Sequence, residues 1–313
     1  MHDERAGGTF LARFDFARDG DAYRVLELNA ETPFFVVESF AESGNRARAA
    51  GLADPNAGES ARLEAALARV LTPLTRGARI GVVAYNVFRE DWGTALYLRD
   101  RIAARARAGV VAVPVHELVV EDGIVRDVAG RLDVLYRCYA LEHLAADFGG
   151  AMLFDAVARG ACRLLNPPSA LALQSKATQA LIWGLAERGE FFDDVERAAI
   201  ARVFLPTYLE RPDDGAAYVR KPVLGREGAG VAILTPDGSE RARGAGRYED
   251  QPMVYQRYIE LPHRRVRRAD GRYVDGEEIV TCFVVAGEPS AIGMRVGGPV
   301  TDAWSYFAPL GVL

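Results

Sequence analysis

Apolar positions recur along this chain with two different periods, and the change of period divides it. Near the start the period is two. In FLARFDFA, Ala12, Phe14 and Phe16 share one face while Arg13 and Asp15 share the other, and YRVLELNA follows as a second strand. Asp19 and Gly20 in ARDGD supply the turn between them. The text from Ala41 to Ser60 is small and polar and reads as a mobile connection. ARLEAALARVLTPL then spaces Leu63, Leu67, Val70 and Leu71 along one helical face.

RIGVVAYNV reads as a buried strand, WGTALYLRDRIAARARAG as a helix ended by Gly109, VVAVPVHEL as a second strand and LDVLYRCYA as a further apolar run. This order predicts a small parallel α/β unit over roughly residues 76–165. After NPPSAL the pattern changes. One helical stretch, LALQSKATQALIWGLAERG, leads into short runs broken by Pro and Gly: AYVRKPV, GVAILT, PMVYQRYI and EIVTCFVVAGEPSAIGMRV. An antiparallel or mixed sheet is expected there, so the fold class is α/β (α+β).

Composition narrows the function. Half of the 313 residues are apolar and 26% are charged, enough for a substantial core in about two domains. The net charge of −5 gives no electrostatic case for nucleic acid or an anionic membrane as partner. No uncharged run approaches the ~18–20 residues of a membrane span, and the opening MHDERAGG is too polar for a secretory leader. Cys138, Cys162 and Cys282 are odd in number and widely spaced, which disfavours a disulfide scaffold and a thiolate zinc site and points to a cytoplasmic protein. His2, His116, His143 and His263 occupy no ligand spacing, and no GxSxG elbow occurs.

The hairpin is the first candidate site. Arg13 and Asp15 lie two apart on one strand, Glu27 and Asn29 two apart on the next. The two pairs share a face only if facing residue numbers sum to an even value, which a two-residue Asp19-Gly20 turn does not give, so a three- or five-residue loop is expected. Two carboxylates and an amide oxygen are hard ligands suited to Mg²⁺, and without an ion the carboxylates would stand close together uncompensated. A neighbouring Arg suits a transferring phosphoryl group. The alternative is an edge hairpin with a solvated polar face.

KPVLGREGAG is the second candidate. Its glycines resemble a dinucleotide fingerprint, but a strand follows where that motif needs a helix. A glycine-rich loop between two strands forms either a plain hairpin or a flap whose N–H groups cover phosphates, with Lys221 at its root. Lys176 sits on a Leu- and Ala-lined helix, and Gln256 on a strand that could face an adenine edge. RVRRADGR reads as a solvated basic loop.

Taken in order, RFDF, LELNAETP, LYRCYALEHL, NPPSALALQSKATQALIW, KPVLGREGAG, MVYQRYIELP and CFVVAGEPSAIGMRV resemble the glutathionylspermidine synthase family of ATP-grasp carboxylate–amine ligases over nearly the whole chain. The resemblance implies an ATP-grasp fold with a pre-ATP-grasp subdomain. It implies Arg13 as the residue stabilising phosphoryl transfer, and Asp15, Glu27 and Asn29 as ligands of two Mg²⁺ ions. ATP would be held by Lys176, Lys221, Glu227, Gly228, Gln256, Arg257, Tyr258, Ile259, Thr301 and Asp302, and the acyl or amine substrate by Thr32, Glu142 and Arg295. The pattern departs at Thr32-Pro33-Phe34, where Phe34 replaces a Thr or Ser and one hydroxyl is lost, and at Gly230, which replaces an Asn. A substrate pair other than glutathione and spermidine is therefore expected.

The resulting expectation is an amide-forming ATP-grasp ligase working through an acyl phosphate on a small-molecule or peptide carboxylate and an amine acceptor. Residues 1–75 would supply the metal-binding hairpin and linker helix, 76–165 the pre-ATP-grasp subdomain, and 166–313 the nucleotide-binding region. The alternative on the same fold is a nucleotide-binding pseudoenzyme or regulatory partner.

Overall fold

The computed structural model describes residues 9–72, 77–106, 108–147, 149–268, 270–302 and 305–313. The opening MHDERAGG and the expected end of the first long helix at Pro73–Leu74 lie outside the described residues.

Strands β1 (Leu11–Asp19) and β2 (Ala22–Asn29) form the expected hairpin. The stretch read as a mobile connection is ordered instead. A π-helical turn at Glu38–Glu42 runs into α1 (Ser43–Ala49), and α2 (Glu59–Leu71) follows. The buried Asn56 side chain fixes the turn between them. Its amide donates to the carbonyls of Ser39 (2.9 Å) and Ile292 (2.8 Å) and accepts from the Ile292 N–H (2.8 Å), so a polar residue here replaces a missing strand partner.

Strand β3 (Arg79–Ala84), α3 (Arg89–Ala103) and β4 (Gly109–Pro114) begin the parallel unit. A meander of β5 (Val119–Glu121), β6 (Ile124–Asp127) and β7 (Gly130–Arg131) leads to β8 (Val134–Arg137). Helices α4 (Leu141–Ala146) and α5 (Gly150–Ala158) then precede β9 (Arg163–Leu165). The parallel sheet has the order β4-β3-β8-β9. Its apolar runs fit burial on both faces: Ile80, Val82, Val134 and Leu165 pack into one core cluster with α2 and α3 residues, while Val83, Leu135 and Leu164 pack into another with α5.

The expected single helix breaks at Ser175 into α6 (Ala170–Gln174) and α7 (Lys176–Glu187). The break frees the Lys176 N–H to donate to Val223 at 2.9 Å. Helix α8 (Asp194–Val203) opens on a capping box at Asp193 and Glu196. Strands β10 (Thr207–Tyr208), β11 (Tyr218–Pro222), β12 (Ala232–Leu234), β13 (Glu240–Arg243) and β14 (Met253–Arg257) build an antiparallel sheet of order β10-β14-β11-β12-β13. The first part of the expected basic loop, Arg265–Arg267, lies instead in strand β15 (His263–Arg267), paired with β16 (Tyr273–Val285), while Arg268 and Arg272 fall in the turn between the two strands. Strands β17 (Glu288–Gly297) and β18 (Tyr306–Ala308) complete a sheet of order β18-β17-β16-β1-β2. The hairpin thus joins C-terminal strands, and β1 is internal to its sheet. Among the described residues no helix is long and apolar enough to cross a membrane.

Candidate active site

The polar face of the hairpin is buried, and the aromatic face is the half-exposed one. Arg13 and Asp15 are 3% and 2% exposed, whereas Phe14 and Phe16 are intermediate. Charged groups sink this far only when paired. Arg13 donates from Nε and Nη2 to the two oxygens of Asp15 (2.6 and 2.9 Å) and from Nη1 to the Phe34 carbonyl (2.7 Å). Arg295 adds a second cation, 3.6 Å from Asp15, and both guanidinium groups lie over the Phe35 ring.

Asp15 faces Glu27 and Arg13 faces Asn29, as the shared face requires. The loop is not the expected odd one. Asp19 pairs with Ala22, leaving the two-residue turn Gly20–Asp21. That register alone would put Leu26 opposite Asp15 and point Glu27 away. A β-bulge corrects it: Phe16 pairs with Val25 and Asp15 with Glu27, so Leu26 is an extra residue. Its carbonyl accepts from Lys221 Nζ (3.1 Å) and Gln256 Nε2 (3.2 Å). Two candidate nucleotide residues therefore hold the bulge that aligns the candidate metal residues.

The carboxylates are compensated, contrary to the sequence expectation. Lys176 Nζ lies 3.3 Å from Glu27 and donates to the Gly225 carbonyl at 2.9 Å, and Lys221 Nζ donates to Gln256 at 2.7 Å. Burial pushes the Glu27 carboxyl upward, but Lys176, Lys221, Arg13 and Arg295 together bring it down to about 2. Burial, reinforced by Lys176, lowers Lys221 to about 8 against the pull of Glu27 and Asp15.

The donor set fits a hard divalent ion. Among the described residues no three His, Cys, Asp or Glu side chains gather as a metal site. The Asn29 amide, however, approaches Asp15 Oδ2 and Glu27 Oε1 at 3.4 Å each, so three oxygen-bearing groups converge on one point. Rotating that amide by half a turn would present its oxygen beside the two carboxylates.

These residues line a cavity of about 300 Å³ between the two antiparallel sheets. Val219 and Ile233 from one sheet and Ile279 from the other make an apolar slot, with Arg257, Tyr258 and Ile259 on its wall. Thr301 and Asp302 also line it, and Arg295 donates to the Asp302 carbonyl at 3.3 Å. The Gly-rich loop between β11 and β12 brings Glu227 and Gly228 over this space. Gly228 has φ +69°, and a Cβ there would stand 2.2 Å from the Thr301 carbonyl oxygen, so only glycine lets the loop close so far.

Of the expected substrate residues, Thr32 and Arg295 line the cavity. Glu142, at the start of α4, is outside it and reaches it only through Arg226 of the flap. The sequence reading missed Arg226, Glu31 and Arg137. Glu31 continues the alternation of Glu27 and Asn29, which was a usable signal. Arg137 stands in an apolar strand run, where a charge demands a buried partner. It finds one in Glu31, at 2.5 Å with both side chains at 0% exposure. Also missed were Glu38, Glu90 and Asp91 on the cavity wall. Burial, with Glu227 and Glu90 nearby, raises Asp91 to about 6, and burial also raises Glu38.

Two sheets closing on one charged cavity beside a parallel α/β unit give an ATP-grasp architecture, and the family match and named relative make it one of the C–N ligase class. The family described as Glutathionylspermidine synthase preATP-grasp matches residues 2–313, and the chain belongs to that family. A Haemophilus influenzae protein provisionally named acid–amine ligase is 27% identical over 322 residues, covering 95% of this chain and 73% of that protein. Solved structures share the fold. A glutathione synthetase-like effector of Globodera pallida superposes with a TM-score of 0.59 at 12% identity, over 97% of this chain and 76% of that one. A protein of Methylobacillus flagellatus KT, provisionally named γ-glutamylcysteine synthetase, gives 0.58 at 9%, over 97% and 80%.

Proposed function

We propose that the chain activates a carboxylate with Mg²⁺ and ATP as an acyl phosphate and transfers the acyl group to an amine. The observation that carries this reading is the convergence of Arg13, Asp15, Glu27 and Asn29 with Lys176 and Lys221 in one cavity. A carboxylate oxygen attacks the γ-phosphorus and ADP leaves. The amine then attacks the acyl carbon, and phosphate departs with the former carboxylate oxygen.

Lys176 and Lys221 hold the phosphates, and each is already oriented by a backbone carbonyl. The slot between the sheets takes the adenine, with the 256–259 segment along it. Arg13, fixed by Asp15, meets the charge that grows as the phosphoryl group moves. Two Mg²⁺ ions held by Asp15, Glu27 and Asn29 would neutralise and orient the triphosphate. Thr32 and Arg295 face the acyl substrate. Among the described residues no cation makes an ion pair with Glu38, Glu90 or Asp91, and their charge suits the incoming ammonium. With its raised pKa, Asp91 is placed to take that ammonium's proton near neutral pH.

In this reading residues 1–75 bring the metal-binding face, 76–165 the substrate-side subdomain and 166–313 the nucleotide cleft. The test is ADP release in the presence of Mg²⁺-ATP across a panel of small and peptide carboxylates crossed with amines. Turnover requiring one acid and one amine together supports the reading. ATP binding without turnover in any combination favours a pseudoenzyme.

A further inference from the structure

One side chain of the flap, at the cavity wall, crosses to the parallel unit. Arg226 donates from Nε to Glu142 Oε1 (2.5 Å) and from Nη2 to Glu142 Oε2 (3.0 Å), a two-pronged grip on one carboxylate. Nη2 also meets Glu31, and Nη1 donates to the Thr32 hydroxyl at 3.3 Å. All three guanidinium nitrogens are engaged away from the flap. The root of the flap is held separately, by Lys176 on the Gly225 carbonyl and by the Leu224 N–H on Gln251.

The charges run Arg137, Glu31, Arg226, Glu142, alternating in sign, but the links differ in what breaking them exposes. Arg137 and Glu31 are both at 0% exposure, and the Leu141 N–H also donates to Glu31 at 2.5 Å, so that pair is a fixed anchor. Arg226 and Glu142 are 16% and 25% exposed. If Arg226 withdraws, Glu31 keeps Arg137 and the Leu141 N–H on Oε1, its Oε2 is left for water entering behind the departing side chain, and Glu142 can rehydrate. A contact that is strong when made but leaves no buried charge unpaired when broken can open and close repeatedly.

We propose that Arg226 is a positioning residue, a latch that holds the flap over the cavity with Glu142 and Glu31 as its catch, and that its release sets how fast nucleotide leaves. The second half rests on the reading of the cavity as an ATP site. The latch also links the two halves of the reaction. Glu142 and Thr32, which the resemblance gives to the substrate, are engaged by Arg226, so substrate arriving there acts on flap closure.

The test has two arms. Hydrogen exchange of the flap amides 224–231 is measured without nucleotide in the wild-type chain, Arg226→Met, Arg226→Lys, Glu142→Gln and the double variant Arg226→Met/Glu142→Gln. Each single removal should speed flap exchange by about tenfold or more, the double variant should add little further, and Arg226→Lys should recover part of the protection. Release of a fluorescent ADP analogue in Mg²⁺ should accelerate in the same order. Flap exchange unchanged in both single variants, or fully additive in the double one, overturns the latch. An analogue that never binds contradicts the nucleotide reading alone, since the exchange arm still decides the latch.

Discussion

Asp15 and Glu27 face each other across the hairpin because Leu26 is an extra residue in the second strand. The bulge serves two purposes at once. It turns Glu27 and Asn29 onto the face of Arg13 and Asp15, and it releases the Leu26 carbonyl to orient Lys221 and Gln256. Two candidate ion ligands, Glu27 and Asn29, and one candidate phosphate lysine, Lys221, are therefore set by one backbone irregularity.

On the proposed reading, the converging oxygens of Asp15, Glu27 and Asn29 make the triphosphate and the divalent ion bind as a unit. At a hundredfold excess over Kd, Mg²⁺-ATP should stabilise the fold by ~2.7 kcal/mol. In a thermal-shift titration, ATP with a chelator should give a much smaller rise. Asp15→Asn should abolish the Mg²⁺-dependent part of the shift.

Arg13→Ala should lower kcat by ~10²–10³, by analogy with the loss of one preorganised transition-state donor. Nucleotide affinity should change far less, since Lys176, Lys221 and the flap hold the ground state. Arg13→Lys should not rescue, because an ammonium cannot span both oxygens of Asp15. Near wild-type turnover in Arg13→Ala would reduce Arg13 to a structural partner of Asp15.

Lys221 titrates at about 8, below its ordinary 10.5, chiefly because it is buried. Its folded pKa lies below the unfolded one, so between these values the native state has shed a proton that the unfolded chain still holds. This group's contribution to stability therefore rises with pH across that window. Nucleotide affinity should move the opposite way, because phosphates need the ammonium. At about pH 9 binding should weaken about tenfold and take up close to one proton at Lys221. Calorimetry in buffers of different ionisation heat reads that uptake, and Lys221→Ala should weaken binding and remove it.

Much of the candidate site is legible, because its residues stand in short spacings. Arg13 with Asp15 and Glu27 with Asn29 advertise two polar faces at period two, and Gly228 advertises a close approach. What escaped notice depends on distant partners. Nothing near Leu26 announces a bulge whose carbonyl is caught by residues about two hundred positions away. The stretch 41–60 is small and polar like a loop, yet Asn56 ties it to β17. Arg265 and Arg267 of RVRRADGR look like loop solvation but sit on a strand paired along one side, where charge discourages further pairing. Helix periodicity ran through Ser175 because the break there is made by the contact of Lys176 with Val223.

The buried anchor can be tested apart from any activity. Arg137→Met leaves Glu31 inside the protein with its principal cation gone, and should cost ~3–5 kcal/mol in denaturant unfolding. Arg226→Met, which breaks a partly exposed link, should cost distinctly less. Equal losses would mean that the four charges act as one rigid unit.

Acyl-phosphate formation leaves an isotopic record that no other use of ATP on this site leaves. The acid found by the substrate panel is labelled with ¹⁸O in its carboxylate and turned over with Mg²⁺-ATP and the amine, and the released phosphate is analysed by mass spectrometry. One ¹⁸O per phosphate, formed in step with ADP and amide, is the expected result. Phosphate free of label while ADP and amide accumulate would contradict carboxylate activation by phosphoryl transfer in this cavity.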